Sequence, residues 1–299
     1  MASDGMELIE PNALYNMLQQ ATVYSCLSDT NYLLLIDARS KNEYNESHVV
    51  TSKKGTKSQP GVYSVPYDAE LECKQNVVVY DSNTSSLKES NASAMHCGRL
   101  MWEMGSKNTV KILRGGYEEF SALYPFLRTQ KILFMPREMD EIKSYPVEIL
   151  QGFLYLGNWR QGNAAYIQKD LKIKAHVNVC VEAETFFKEP GPEHLHIQVQ
   201  DSNDADLFSH FEKACSFIDG HSEENRAVLV FDNLGISRAA TVVIAYIMKH
   251  QKVPLEIAYR DVQRCLSTLR PNRAFIEQLS HWEEKLFGAR GTQIQDPHY

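Results

Sequence analysis

The chain has 299 residues, of which 43% are hydrophobic and 23% are charged, so it is too apolar to be largely disordered. The net charge of −7 disfavours nucleic-acid binding through a basic face. At about 150 residues per domain, the length predicts two domains. We find no run of ~18 apolar residues, so we expect no membrane-spanning helix and no membrane partner.

The cysteines raise the question of which chemistry this chain can perform. Their wide spacing, the absence of a C-x-x-C pair and an N-terminus without secretory character predict reduced intracellular thiols rather than disulfides. We therefore expect a cytoplasmic protein, and the sequence leaves a mitochondrial pool open. The six cysteines are Cys26, Cys73, Cys97, Cys180, Cys215 and Cys265.

The N-terminal half alternates short apolar runs with a helical pattern. Runs at 32–36, 77–80 and 110–113 predict buried strands, and residues 94–104 predict a helix between the last two. Strands that alternate with helical segments are typical of βαβ units on a parallel sheet. Residues 53–67 are polar and contain two glycines and two prolines, so we predict a loop there.

A domain boundary is predicted where charged residues mix with prolines. We interpret residues 129–145 as a linker between a first domain at 1–128 and a second at 146–290, with a tail at 291–299. After the linker the alternation of strands and helices begins again. The predicted strands are 153–156, 177–181, 195–199 and 227–231, and the predicted helices are 207–220, 237–250, 254–266 and 273–286.

The segment 228–245 carries the pattern with the most chemical meaning. A buried strand is followed by a tight loop, and Arg238 begins a helix that is apolar nearly all round. This arrangement gathers backbone N–H groups at a helix N-terminus, where an anion can bind. Arg238 could add a bidentate clamp on phosphate oxygens, or could simply tie the loop to nearby carbonyls. Gly235 predicts a turn with positive φ or a close backbone approach.

The loop resembles that of the cysteine-dependent, dual-specificity phosphatases, whose pattern is H-C-x5-R. Phe231 stands in the place of the histidine and Asp232 in the place of the cysteine, while Arg238 keeps its place. The resemblance implies a degenerate site without a nucleophile. Asn233, Leu234, Gly235, Ile236 and Ser237 fill the five intervening positions.

The resemblance extends beyond the loop. The segments 153–158 (FLYLGN), 176–179 (HVNV) and 271–283 are similar to two strands and the closing helix of that family. Asp201 lies where the family carries its general acid, 31 residues before Asp232. Since no thiolate is present, Asp201 is also interpreted as an Asx-turn or N-cap residue.

The first half resembles a rhodanese-like domain. Its opening segment, 33–49, keeps the matching Asp37, Arg39, Glu43 and His48, and the segment 112–125 is similar to the closing part of that domain. Active sulfurtransferases carry a cysteine directly after the central strand. Asp81 stands there in this sequence, so both halves have an aspartate at the expected nucleophile position.

A rhodanese-like domain followed by a dual-specificity phosphatase-like domain is the layout of the MAP kinase phosphatases. It implies an α/β fold in which each domain is a sheet flanked by helices. The inactive members that the sequence resembles carry a small neutral residue at the nucleophile position, and Asp232 departs from that pattern. Lys53, Lys54 and Lys57 lie where the family carries a kinase-docking segment, although a solvated loop is the alternative interpretation.

These features predict a regulatory binding protein rather than an enzyme. Asp232 should repel a phosphate dianion, and no Asp/Glu cluster with metal-ligand spacing surrounds it, so we expect no cofactor and no metal. The expected partners are an active phosphatase, a phosphoprotein or a MAP kinase. The alternative is an enzyme, either a phosphatase with unconventional chemistry at Asp232 or a sulfurtransferase.

Overall fold

The computed structural model describes residues 5–22, 24–59, 62–67, 69–133, 135–182, 186, 193–224, 226–295 and 299. The chain forms two compact units, Met1–Lys143 and Ser144–Tyr299. In the described part of the chain, no helix is both long and apolar enough to cross a membrane. The division falls inside the segment 129–145, which also contains a short helix and the second residue of a two-residue strand.

The first unit is built around a parallel sheet. Its strands are β1 (Met6–Ile9), β2 (Leu33–Asp37), β3 (His48–Val49), β4 (Lys53–Lys54), β5 (Thr56–Gln59), β6 (Val62–Ser64), β7 (Asn76–Tyr80), β8 (Val110–Leu113) and β9 (Arg128–Thr129). Its helices are α1 (Pro11–Gln19), α2 (Lys41–Glu46), α3 (Ser93–Glu103), α4 (Gly116–Leu123) and α5 (Pro136–Asp140). Five strands form one sheet in the order β1-β8-β7-β2-β4, and every pair in it is parallel. The central strands are continuous apolar runs, as expected when both faces of a parallel sheet are covered.

The second unit has one sheet with a central strand of six residues. Its strands are β10 (Val147–Leu150), β11 (Leu154–Asn158), β12 (Ile173–Asn178), β13 (His194–His196) and β14 (Ala227–Asp232). Its helices are α6 (Trp159–Gly162), α7 (Ala165–Asp170), α8 (Phe208–Glu223), α9 (Arg238–Gln251), α10 (Leu255–Cys265) and α11 (Arg273–Phe287). The order is β10-β11-β14-β12-β13, and only β10 is antiparallel to its neighbour among these strands.

Helix α9 lies in the middle of the second unit. Every residue from Arg238 to Met248 is buried, which explains why its sequence shows no polar face. The indole Nε1 of Trp282 on α11 donates to the Ala245 carbonyl at 3.1 Å. The central helix predicted at 237–250 is therefore confirmed, together with the α/β class and the two sheet-and-helix domains.

Three sequence interpretations of local structure were wrong, and one of them is the strand predicted at 195–199, which is His194–His196 instead. The polar segment 53–67 is not a loop throughout, because it contains β4 at the sheet edge and the hairpin of β5 and β6; Pro60 and Gly61 lie outside the described residues. The strand predicted at 177–181 is Ile173–Asn178 instead. The prediction began too late because the polar residues Lys174 and His176 interrupt the apolar run on which it was based. Strand β1 and helix α1 were not predicted at all.

The buried histidine of β12 gives the second unit an acid sensitivity. Burial lowers the pKa of His176 to about 3, with a smaller contribution from His194, and its Nε2 lies 2.8 Å from the Gln168 side-chain oxygen. The unfolded chain binds a proton at this residue near pH 6.5, and the folded chain does not until far lower pH. Stability is therefore expected to fall by about 2 kcal/mol between pH 7 and pH 5.

Urea unfolding of the full chain at both pH values tests this expectation. His176→Gln should abolish most of the loss, whereas His281→Gln, which changes an exposed histidine of the same unit, should retain it. An equal pH dependence in wild type and His176→Gln would contradict it.

Candidate functional site

The loop 232–238 lies at the carboxyl end of β14, where parallel sheets usually bind ligands. Asp232 pairs in register with Asn158 of β11, and α9 begins at Arg238. Gly235 has φ of +78°, and a Cβ at this position would lie 2.6 Å from the Gly157 carbonyl oxygen. The positive φ and the close approach expected for Gly235 are both present, and they require glycine.

The carboxylate of Asp232 occupies the N–H groups of its own loop. Its Oδ1 accepts hydrogen bonds from the N–H groups of Leu234 at 2.8 Å and Gly235 at 2.5 Å. Its Oδ2 accepts from the N–H of Ala239, in the first turn of α9, at 2.8 Å. Asp232 is 2% exposed. The side chain thus satisfies the backbone donors that a bound anion would use.

Arg238 hydrogen-bonds a backbone carbonyl outside the loop. Its Nη1 donates to the Val199 carbonyl at 2.9 Å, and no ion pair within 4.0 Å joins it to Asp232 among the described residues. The residue is 6% exposed, and its Nε is buried without a hydrogen-bond partner in the described part of the chain. Arg238 therefore ties the loop to the segment after β13, while its Nε makes no hydrogen bond in the described part of the chain.

Asp201 is exposed and lies beside the loop. Its Oδ1 accepts from the Asn272 amide at 2.8 Å, and the Oδ1 of Asn272 accepts from the N–H of Phe275 in the first turn of α11. The N-cap interpretation of Asp201 is wrong, because α8 begins at Phe208. Asp206 bonds the first turn of α8 instead, and the hydrogen bond from the Ser209 N–H lowers the pKa of Asp206.

A cavity of about 760 Å³ brings these residues together. Asp201, Asp232 and Arg238 all line it, as do Asn233, Leu234, Ile236 and Ser237 of the loop. The cavity also contains Arg270 and Arg273, which the sequence analysis did not select. The run of residues 270–273 (RPNR) directly before the closing helix was the signal that could have identified them.

Asp81 is arranged in the same way in the first unit. Its Oδ1 accepts from the N–H groups of Asn83 at 3.3 Å and Thr84 at 3.0 Å. Its Oδ2 accepts from the Thr84 hydroxyl at 2.7 Å and from the N–H of Ala94 at 3.0 Å. Asp81 is 8% exposed. Its carboxylate, like that of Asp232, is held by backbone groups of the loop that follows it.

The two aspartates share a further detail. Ala94 is the second residue of α3 and Ala239 is the second residue of α9. In each unit, one carboxylate joins the end of a central strand to the N-terminus of the next helix. A negative side chain at that point is stabilised both by the hydrogen bond and by the helix dipole.

The three lysines of the predicted docking segment lie on strands. Lys53 and Lys54 are half-buried in β4, where they pair with Ile36 and Asp37. Lys57 is exposed in β5, and its Nζ lies 4.8 Å from the centre of the Tyr63 ring. The interpretation as a continuous solvated loop is therefore wrong.

The cysteines lie away from both loops in the sequence, and all six are free thiols. Burial raises the pKa of Cys97, Cys180 and Cys215 to about 12 and that of Cys265 to about 11. The charge of Asp232 contributes to the shift at Cys180. These four thiols are held in the protonated form, which is a poor nucleophile.

Alkylation of the native protein tests this description of the thiols. With iodoacetamide near neutral pH, we expect Cys73, the exposed cysteine, to be modified first, and Cys97, Cys180 and Cys215 to stay protected until urea is added. Mass spectrometry of the digested protein gives the order. Modification of Cys180 before Cys73 would show an activated thiol beside the loop and contradict the description.

The described residues contain no group of three or more His, Cys, Asp or Glu side chains placed to hold a metal ion. The polar groups of the site are the backbone N–H donors of the loop and the side chains of Asp201, Asp232, Arg238, Arg270 and Arg273.

Two family models match this chain, and each match falls within one of the two units of the structure. The family model "Dual specificity phosphatase, catalytic domain" matches residues 154–285, and the model "Rhodanese-like domain" matches residues 14–123. Dual specificity protein phosphatase 1 of Mus musculus is 31% identical over 85% of this chain and 78% of its own length. This chain belongs to the dual specificity protein phosphatase family, with a rhodanese-like domain before the phosphatase domain.

Other relatives match parts of the chain or extend well beyond it. Dual specificity protein phosphatase 16 of Homo sapiens is 31% identical over 89% of this chain, which spans 43% of that protein. The crystal structure of human DUSP28 is 29% identical, covers 46% of this chain and 93% of its own, and has a TM-score of 0.44.

Proposed function

We propose that this chain is a pseudophosphatase that regulates phosphorylation signalling by binding rather than by catalysis. The observation that carries the proposal is the position of Asp232, whose carboxylate fills the N–H groups of the phosphatase-like loop. The proposal agrees with the resemblance of the sequence to the serine/threonine/tyrosine-interacting-like pseudophosphatase that is often called MK-STYX.

The chemistry of the loop explains why turnover is not expected. A family enzyme attacks phosphorus with a thiolate at this position, whereas both oxygens of Asp232 are engaged as hydrogen-bond acceptors. A phosphate group about 4 Å from Asp232 would meet a repulsion of roughly 4 kcal/mol per unit charge at an effective dielectric near 20. Asp232 therefore stands in the position of the nucleophile, and its negative charge repels the phosphate group of a substrate.

The rhodanese-like domain is proposed to be non-catalytic for the corresponding reason. Asp81 occupies the position of the sulfur-accepting cysteine, and its carboxylate binds the Asn83 and Thr84 N–H groups. A carboxylate cannot form the persulfide that sulfur transfer requires. The domain then serves as a binding module.

The partners are proposed from the family. Relatives that are named as dual specificity phosphatases indicate an active phosphatase, a phosphoprotein or a MAP kinase as the partner. Lys53, Lys54 and Lys57 remain a candidate docking segment for a kinase. The six free thiols suit a reducing compartment and support a cytoplasmic location.

The competing function is an enzyme that uses Asp232 as an unconventional nucleophile, or a sulfurtransferase. The full chain is assayed with a small aryl phosphate and with thiosulfate, each with and without divalent metal. We expect no turnover above the rate of a matched Asp232→Ala variant. Turnover by the wild type that disappears in Asp232→Ala would overturn the proposal.

A further inference from the structure

The rim of the cavity carries two arginines that are fixed to the loop by the backbone. The N–H of Arg270 donates to the Ile236 carbonyl at 2.9 Å, and Arg273 is the first residue of α11, whose N-cap Asn272 binds Asp201. Both side chains are exposed. Their positions relative to the loop are therefore set by main-chain contacts, while the residues themselves are exposed.

The charges of these arginines are not used inside the protein. No ion pair within 4.0 Å involves Arg270 or Arg273 among the residues that the structure describes. By contrast, Arg260 and Arg264 on the neighbouring α10 pair with Glu256 and Asp261. Unpaired arginines at the mouth of a cavity are available to a ligand with carboxylates.

The net charge of the side chains that line the cavity is opposite in sign to that of the whole chain. The charged side chains that line it are three arginines and two aspartates, which sum to one positive charge, whereas the side chains of the whole chain sum to −7. Arg238 contributes a buried Nε without a hydrogen-bond partner in the described part of the chain.

An apolar side chain stands beside the charges. Leu234, in the loop, is 72% exposed and lines the same cavity as Arg270 and Arg273. An exposed leucine next to unpaired arginines fits a ligand that offers both apolar and acidic side chains.

We propose that this cavity binds an acidic peptide segment of a partner protein, whose carboxylates are held by Arg270 and Arg273 and whose apolar side chain packs on Leu234. The inference rests on the proposed function, since it gives the pseudophosphatase domain a binding site. The ligand is held at the rim and not in the loop, because Asp232 already occupies the loop N–H groups.

Fluorescence anisotropy with the full chain tests the site. The probe is a fluorescein-labelled peptide with four glutamates around a central leucine, and its control carries glutamine in place of each glutamate. We expect binding of the glutamate peptide, and about a tenfold loss in the double variant Arg270→Gln with Arg273→Gln. The control double variant, Arg260→Gln with Arg264→Gln, removes the same charge from α10 and should change affinity less than about twofold.

Several outcomes would overturn the inference. These are no binding by the wild type, equal losses in the two double variants, or equal affinity for the glutamine peptide. A phosphotyrosine peptide that binds more tightly than the glutamate peptide and loses affinity in Arg238→Met would place the ligand in the loop instead. Failure of peptide binding without any aryl phosphate turnover overturns this inference alone, whereas turnover by the wild type overturns the proposed function.

Discussion

The double change Phe231→His with Asp232→Cys is expected to create phosphatase activity well above that of the wild type. The change restores the histidine and the nucleophile at the end of β14, and it frees the N–H groups of Leu234, Gly235 and Ala239 from the native carboxylate. Because loss of a catalytic nucleophile costs about 10⁶ in rate in well-studied hydrolases, we expect a gain of at least about 10³ in aryl phosphate turnover.

The controls distinguish activity that comes from the new nucleophile from activity that comes from a looser loop. Phe231→His with Asp232→Ser supplies the histidine and opens the loop without a thiol, and it should stay inactive. Adding Asp201→Asn to the active pair should reduce turnover about 100-fold if Asp201 serves as the general acid. If the folded double variant shows no activity, the orientation of Arg238 toward Val199 or of Asp201 toward Asn272 has drifted from the catalytic geometry.

Replacing Asp37 by alanine is expected to cost the rhodanese-like domain about 3–5 kcal/mol of stability, since it leaves a buried charge unpaired. The Nη2 of Arg39 lies 2.6 Å from Asp37 Oδ2, and the two side chains are 6% and 0% exposed. The Tyr80 hydroxyl donates to the same oxygen at 2.9 Å. Arg39 also lies 3.7 Å from the centre of the Tyr117 ring. Without Asp37, the guanidinium keeps its hydrogen bond to the Ser47 carbonyl, at 2.7 Å, and the Tyr117 ring, but it loses the carboxylate that balances its buried charge.

Chemical denaturation of the full chain measures this loss. Glu10→Gln is the matched control, because it removes the exposed ion pair between Glu10 and Arg114, whose side chains are 54% and 41% exposed. That change should cost less than about 1 kcal/mol. A loss of less than about 1 kcal/mol in Asp37→Ala would contradict the expectation, because it would show that the unpaired Arg39 guanidinium costs little in this buried position.

Much of the fold was predictable because its strands and helices obey simple patterns. Helix α9 and strands β7 and β8 are apolar runs with clear limits, and the structure places them within a residue or two of the prediction. The errors came where tertiary pairing overrides pattern. Strand β1 has only four residues and is stabilised by pairing with β8, and no local signal distinguishes it from an irregular terminus.

The site was predictable at its centre and not at its edge. The spacing from Asp232 to Arg238 identifies the loop, because strand, turn and helix are contiguous in sequence. The direction of Arg238 toward Val199 depends on a segment 39 residues earlier, so the loop sequence could not reveal it. Arg270 and Arg273 come from another part of the chain, and only the packing of α11 beside the loop brings them to the cavity.

We propose that the Asp232 carboxylate takes the place of a bound anion in the loop. Calorimetric titration of a phosphotyrosine peptide into the wild type and into Asp232→Ser tests it most directly. We predict no measurable binding by the wild type and binding by Asp232→Ser, in which the N–H groups of Leu234, Gly235 and Ala239 become available. Micromolar binding by the wild type that is lost in Arg238→Met would contradict the claim.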